Sequence, residues 1–118
     1  MAAPVLGARG EEQAARYLRL RGYRILARNY RCRFGEIDII ARRGGALVFV
    51  EVKQRRDARF AEAREFVTAQ KQARILAAAR LYLAQHEFDL QPRFDVIEVY
   101  GGEDGRPRIE QIEDAFGE

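Results

Sequence analysis

Apolar residues in "ARGEEQAARYLRLRGY", residues 8 to 23, recur at Ala14, Ala15 and Leu18. Spacings of three and four are the period of a helix with one buried stripe. A helix is expected from 8 to 21, stopped by Gly22. "YRILARNYR" predicts a strand over 23–31. In "EIDIIARRGGALVFVEVK" two runs rich in Ile, Val, Leu and Phe flank Gly44-Gly45, which predicts a β-hairpin over 34–42 and 46–54. "QRRDARFAEAREF" is polar and irregular, either a mobile loop or a short helix. The strongest helical pattern is "TAQKQARILAAARLYLAQH", with Thr68 as N-cap and Ile75, Leu76, Ala79 and Leu83 as its stripe. "RFDVIEVY", residues 93 to 100, predicts a fourth strand, and "RIEQIEDAF" a short strand running into a turn of helix.

The predicted order is αβββαββ. Strands 1 to 3 can form an antiparallel meander, and the long helix can cross over to set strand 4 parallel to strand 3. Strand 3 is apolar on both faces, with Leu47 and Phe49 on one and Val48, Val50 and Val52 on the other. Such a strand needs cover on both sides, so an α/β sandwich around a central mixed sheet is expected, built as one domain over residues 1–118.

The hairpin also carries Glu36, Asp38, Glu51 and Lys53. A two-residue turn at Gly44-Gly45, or a four-residue loop, sets Asp38 opposite Glu51 and Glu36 opposite Lys53, all on one face. Glu36 with Lys53 makes an ordinary cross-strand ion pair. Asp38 with Glu51 does not, because like charges directly opposite repel. Beside Leu47 and Phe49, these two carboxylates either share a proton or hold a cation; the other reading is an exposed end of the hairpin where water screens both. Hard oxygen ligands without His or Cys suit Mg2+ or Mn2+ and not zinc. Glu11 lies on the apolar stripe of the first helix, where it either faces the sheet as a further ligand or complements the helix dipole. Glu12 falls on the solvent face with Arg16 and Arg19.

The formal charge of +3 is unevenly spread. Residues 103–118 hold six acidic side chains against Arg106 and Arg108, a balance of −4 that leaves +7 on residues 1–102. A basic body suits a polyanion such as nucleic acid. Of the 21 basic residues only Lys53 and Lys71 are lysine, so those positions are candidates for a role that Arg cannot fill. One cysteine, Cys32, excludes an internal disulfide and fits a reducing compartment. No apolar run is long enough to span a membrane, and "MAAPVLGARG" lacks the apolar core of a secretory signal, so a cytoplasmic protein is expected. Thr68, Gln70, Lys71 and Gln72 open the long helix, either as a phosphate-binding N-terminus or as ordinary helix-start residues. Arg55, Arg56 and Arg59 are backbone contacts to nucleic acid or solvated charges, and His86 stands alone with no pattern around it.

Taken in order, Glu11, "EID" with Asp38, and "VEVK" with Glu51 and Lys53 resemble the E…D…(D/E)-x-K signature of restriction-endonuclease-like nucleases, the PD-(D/E)XK superfamily. The chain is more closely similar to the YraN-like family of predicted bacterial nucleases, through "GEEQAARYL", "GEIDII", "LVFVEVK", "VTAQKQARILAAARLYL" and "RFDVIEVY". That family is itself similar to archaeal Holliday junction resolvases. Two departures stand out: Ile37 where many of the superfamily have Pro, and Ala61 after Phe60 where relatives often have Gly.

The resemblance implies a restriction-endonuclease-like three-layer sandwich and a metal-dependent phosphodiesterase, acting on DNA in preference to RNA. Asp38 and Glu51 would bind Mg2+ or Mn2+, with Glu11 contributing directly or through water, and Lys53 would act on the nucleophile or the transition state. Arg55, Thr68, Lys71 and Gln72 would contact nucleic acid. No base-reading motif accompanies the site, so selection of branched or flap DNA is expected over sequence selection. Similarity to resolvases implies a homodimer. The alternatives are a non-catalytic nucleic-acid-binding module and an accessory protein active only with a partner.

Overall fold

The computed structural model describes residues 6–55, 67–101 and 106–117, with residues 6–9 described for backbone alone. Helix α1 (Leu6–Leu20) precedes strands β1 (Arg24–Cys32), β2 (Gly35–Arg43) and β3 (Ala46–Arg55); α2 (Ala69–Gln85), β4 (Gln91–Tyr100) and β5 (Arg108–Phe116) follow. The sheet order is β1-β2-β3-β4-β5, antiparallel throughout except for the parallel β3–β4 pair that α2 connects. The expected αβββαββ order and the mixed α/β sheet hold.

Local chemistry explains the boundaries. Gly22, at φ 87°, ends α1 with paired bonds from its own N–H to the Arg19 carbonyl (3.0 Å) and from the Tyr23 N–H to the Leu18 carbonyl (2.9 Å). This leaves Leu18 and Tyr23 in one buried cluster, the hydrophobic contact typical of this cap. Arg43 pairs with Ala46 across Gly44-Gly45, so the turn has two residues, with Gly44 at φ 57°. Thr68 caps α2, its Oγ1 accepting from the Lys71 N–H at 3.1 Å.

Strand β3 is buried on both faces, as its composition demands. Val48 and Val50 pack with Ala14, Ala15 and Leu18 of α1. Leu47 and Phe49 pack with Ile75, Ala78, Ala79 and Tyr82 of α2. Each helix therefore covers one face of the sheet. Half-buried Cys32 packs against the α2-side cluster as a free thiol.

Two expectations need correction. The α2 stripe is Ile75, Ala78, Ala79 and Tyr82, while Leu76 and Leu83 are only half-buried. Tyr82 turns the helix, because its ring meets Tyr30 and Phe49 edge-on at 5.2 and 6.1 Å. At the C-terminal end, "RIEQIEDAF" forms no helical turn and remains strand to Phe116. Phe116 stacks on Phe94 at 5.4 Å, and the Asp114 N–H is held by Asp95 Oδ1 at 3.0 Å. Asp114 adopts φ 53°, as does Asn29 in β1; they are the non-glycine residues with positive φ among those described. The question of a loop or helix after β3 falls mainly on residues 56–66, outside the described residues, as do Arg56, Arg59 and Ala61.

Candidate active site

The β2–β3 ladder runs from Arg43–Ala46 to Ile39–Val50, the expected register. One step further, where Asp38 faces Glu51, the backbone ladder stops. Asp38 Oδ2 instead accepts the Val52 N–H at 2.8 Å, so a side chain replaces the partner strand. The alternation of β2 also breaks there: Ile39 and Ala41 face α1, while both Ile37 and Ile40 face α2. That break undoes the expected Glu36–Lys53 pair. Glu36 lies instead 3.4 Å from Arg31, its cross-strand neighbour on β1, and Lys53 Nζ lies 3.9 Å from Glu51 Oε2.

The first turns of α2 close the site from above. Lys71 Nζ approaches Glu51 Oε2 to 2.6 Å. Asp38, Glu51, Thr68, Gln70, Lys71 and Arg74 line a cavity of about 370 Å³ between this helix end and the start of β2. Asp38, Glu51, Lys53, Lys71 and Thr68 are thus gathered in one place. Other candidates are not. Gln72 points inward and donates to the Val67 carbonyl at 2.9 Å. The Nε and Nη2 atoms of Arg55 are buried. Buried Glu11 stays outside the cavity, receiving the Asn29 amide at 2.8 Å with Arg28 Nε at 3.7 Å. His86 caps α2 and stacks on Tyr82 at 4.1 Å.

The electrostatics follow from burial and from two carboxylates sharing one space. Burial, then the hydrogen bond with Glu51 and its charge, push the Asp38 carboxyl up to about 8 against the opposing Val52 N–H. Near neutral pH Asp38 therefore keeps its proton. Burial lowers the Lys53 ammonium, outweighing the attraction of Glu51. For Lys71 burial also pulls downward, but its hydrogen bond and charge contact with Glu51 prevail and raise it. Burial raises Glu11 despite Arg28 and Asn29.

Among the described residues, no three His, Cys, Asp or Glu side chains form a ready metal cage. The Asp38–Glu51 pair nonetheless fits a hard divalent ion. Both offer oxygen donors in one cavity, and buried Glu51 Oε2 already faces a cationic group, Lys71 Nζ at 2.6 Å. The rest of the coordination sphere would be water or substrate oxygen, which Mg2+ tolerates.

This arrangement has a measurable cost in stability. Folded Asp38 keeps a proton that the unfolded chain, with its carboxyl near 3.8, has already released. Without metal, its contribution to stability therefore falls as pH rises from about 4 to about 8. Asp38→Asn mimics the protonated form, accepting from Val52 and donating to Glu51. We expect the metal-free variant to match the parent near pH 4 and to exceed it by at least about 1 kcal/mol at pH 8. Mg2+ or Mn2+ should raise the melting temperature of the parent far more than that of the variant. Thermal melts across this range check both, and a variant less stable than the parent at pH 8 contradicts the shared-proton pair.

Several polar residues at or near the site escaped sequence reasoning. Asn29 and Arg28 hold Glu11, which only the bulged path of β1 reveals. In β4, fully buried Asp95 accepts from Arg93 Nε and Nη2 and from Gln111 Nε2, each at 2.9 Å. Arg93 and Asp95 at a spacing of two share a strand face, a signal that was available. Glu98, also buried, accepts from the Tyr100 hydroxyl, which burial and then that bond push up to about 12.

Comparison with known proteins places this geometry. The model of "Uncharacterised protein family UPF0102" matches residues 10–99, which contain every residue of the cavity. A UPF0102 protein of Symbiobacterium thermophilum is 54% identical over 112 residues, covering 94% of this chain and 95% of the relative. One from Geobacter sulfurreducens is 49% identical over 95% of this chain and 88% of its own. A relative from Nitrosomonas europaea is 45% identical, with coverage of 95% and 93%. With a matching family model and relatives alike from end to end, the chain belongs to UPF0102, the YraN family.

Proposed function

We propose that this chain is a divalent-metal-dependent nuclease of restriction-endonuclease-like fold that hydrolyses DNA phosphodiester bonds. The observation that carries this reading is the Asp38–Glu51 carboxylate pair lining one cavity, set against Lys53 and Lys71. A like-charge pair of this kind opposes folding, and a site that binds a cation and a phosphate explains its retention. The mixed sheet with a helix on each face also suits that fold.

Each side chain has a task in this reading. Asp38 and Glu51 would hold Mg2+ or Mn2+, with Glu11 adding negative potential from the second layer. When bound, such an ion acidifies a coordinated water and neutralises charge on the attacked phosphate. Lys53 would donate to a non-bridging phosphate oxygen, where charge builds in the transition state. Lys71, with Thr68 at the start of α2, would bind the neighbouring phosphate. Burial keeps Lys53 readier than a surface lysine to give up a proton, which suits a group in contact with the attacking water.

Incubation of labelled linear, flap, single-stranded and four-way DNA with purified protein in Mg2+ or Mn2+ tests the reading; no product from any of them, with extract or without, removes it. Glu51→Ala should abolish cleavage while leaving DNA affinity equal or stronger, since Lys53 and Lys71 lose their counter-charge. That affinity should fall with salt at a log–log slope of about −0.9 per phosphate neutralised. Binding that ignores salt would contradict a backbone-contacting basic surface. A non-catalytic module would bind DNA in this way and show no divalent-ion site.

A further inference from the structure

The turn between β1 and β2 is made of Arg33 and Phe34, followed by Gly35. Neither residue has positive φ, so the turn is not of the mirror-image type that favours Asn and Gly, and its conformation does not call for Phe at the tip. Phe34 is 39% exposed, one of two large apolar side chains in solvent among the described residues. The other, Leu20, lies on the α1 side of the molecule. A large aromatic side chain left in solvent at a turn that does not require one points to a role other than folding.

Its location says what that is. Gly35 lines the catalytic cavity, and a Cβ there would meet the Arg74 Cβ at 3.2 Å, so the turn is seated tightly on α2. Phe34 is therefore the chain neighbour of a residue that lines the pocket containing Asp38 and Glu51. The Arg33 guanidinium lies over its ring, 4.8 Å from the centroid. Arg31, 3.4 Å from Glu36, precedes the turn in β1, and Arg74 packs against Gly35 and lines the pocket. An aromatic face set among arginines, next to a phosphate-handling pocket, is the combination on which unpaired bases stack.

Building on the nuclease reading, we propose that Phe34 is a stacking platform for an unpaired DNA base, so that the β1–β2 turn selects sites where a duplex opens into single strand. Arg33 and Arg74 contact the flanking phosphates. A fully paired duplex offers only its backbone to this surface, because its bases are already stacked.

The test uses the full chain in EDTA, so that nothing is cut. One probe is a duplex with a single-stranded extension carrying 2-aminopurine at its first unpaired position; the other is the blunt duplex. The parent should bind the extended duplex about tenfold more tightly and change the 2-aminopurine fluorescence. Phe34→Ala should bind the blunt duplex as before and lose the preference to within about twofold. Phe34→Trp should keep it, which guards against a turn that merely fails to fold. If Phe34→Ala keeps the parental preference, or the parent has none, the proposal is overturned. A Phe34-dependent preference without any cleavage in metal supports stacking and removes the nuclease reading. Cleavage that ignores Phe34 does the reverse, and absence of all DNA binding removes both.

Discussion

Lys53→Arg should fold and bind DNA nearly as the parent does and lose about 10² in cleavage rate. Charge is conserved, so long-range attraction for the polyanion is unchanged. The neighbouring ion contacts do not demand lysine either, since Glu51 already has Lys71 at 2.6 Å while Lys53 stands at 3.9 Å. The difference is one of shape. A compact ammonium on a largely buried stem can meet a phosphate oxygen beside a cation, whereas the planar guanidinium is longer and needs more room. Misplacement of a catalytic group by roughly 1 Å costs about 10² in rate. Single-turnover cleavage of the best substrate, together with melting and binding controls, measures this. Retention of more than about a tenth of parental activity assigns Lys53 to structure alone.

Asp95→Ala should remove about 3–5 kcal/mol of folding free energy, without touching the cavity. Asp95 is wholly buried, and its two oxygens accept from Arg93, Gln111 and the Asp114 N–H. The Tyr23 hydroxyl joins them, accepting from Arg93 at 2.6 Å and from Gln111 at 3.1 Å. Removing the acceptor leaves a half-buried guanidinium and an amide without their central partner. The penalty is chiefly that of uncompensated polar groups. Asp95→Asn, which keeps one acceptor and brings its own donors, should cost less. Urea denaturation at neutral pH would show the midpoint falling at constant slope. A loss below about 1 kcal/mol would mean that water reaches the network and replaces the carboxylate.

The parts of the fold that sequence revealed are those set by short-range periodicity. Strand β3 is legible because Leu47, Val48, Phe49 and Val50 put apolar side chains on both faces, which a central strand tolerates. Gly44-Gly45 fixed a turn, the turn fixed the register, and the register brought Asp38 to Glu51. Family resemblance then gave the pair a chemistry that spacing alone left open between proton and cation. What stayed hidden depends on departures from periodicity. A regular strand would have brought Glu36 to Lys53, but β2 changes face at Asp38 and sends Glu36 to Arg31. The hairpin pattern makes Phe34 the first residue of a strand, whereas it lies in the turn before β2. The Asp95 network joins Tyr23, Arg93 and Gln111, residues up to 88 positions apart, through a β4–β5 register that no local pattern encodes.

The two left-handed residues also bear on how copies of this protein behave toward one another. Among the described residues the five-stranded sheet ends in two nine-residue edges, and an edge strand presents peptide groups able to recruit another strand. Asn29 lies in one edge and Asp114 in the other, both at φ 53°, and both strands slip register against their inner neighbours. Each kink also gives one polar group to an interior carboxylate: the Asn29 amide to Glu11, the Asp114 peptide N–H to Asp95. The bends are thus anchored, and straightening either strand would take one hydrogen-bond donor from a buried acid. Neither border offers a flat template for a sixth strand, so crowded molecules are kept from stacking sheet to sheet into fibres.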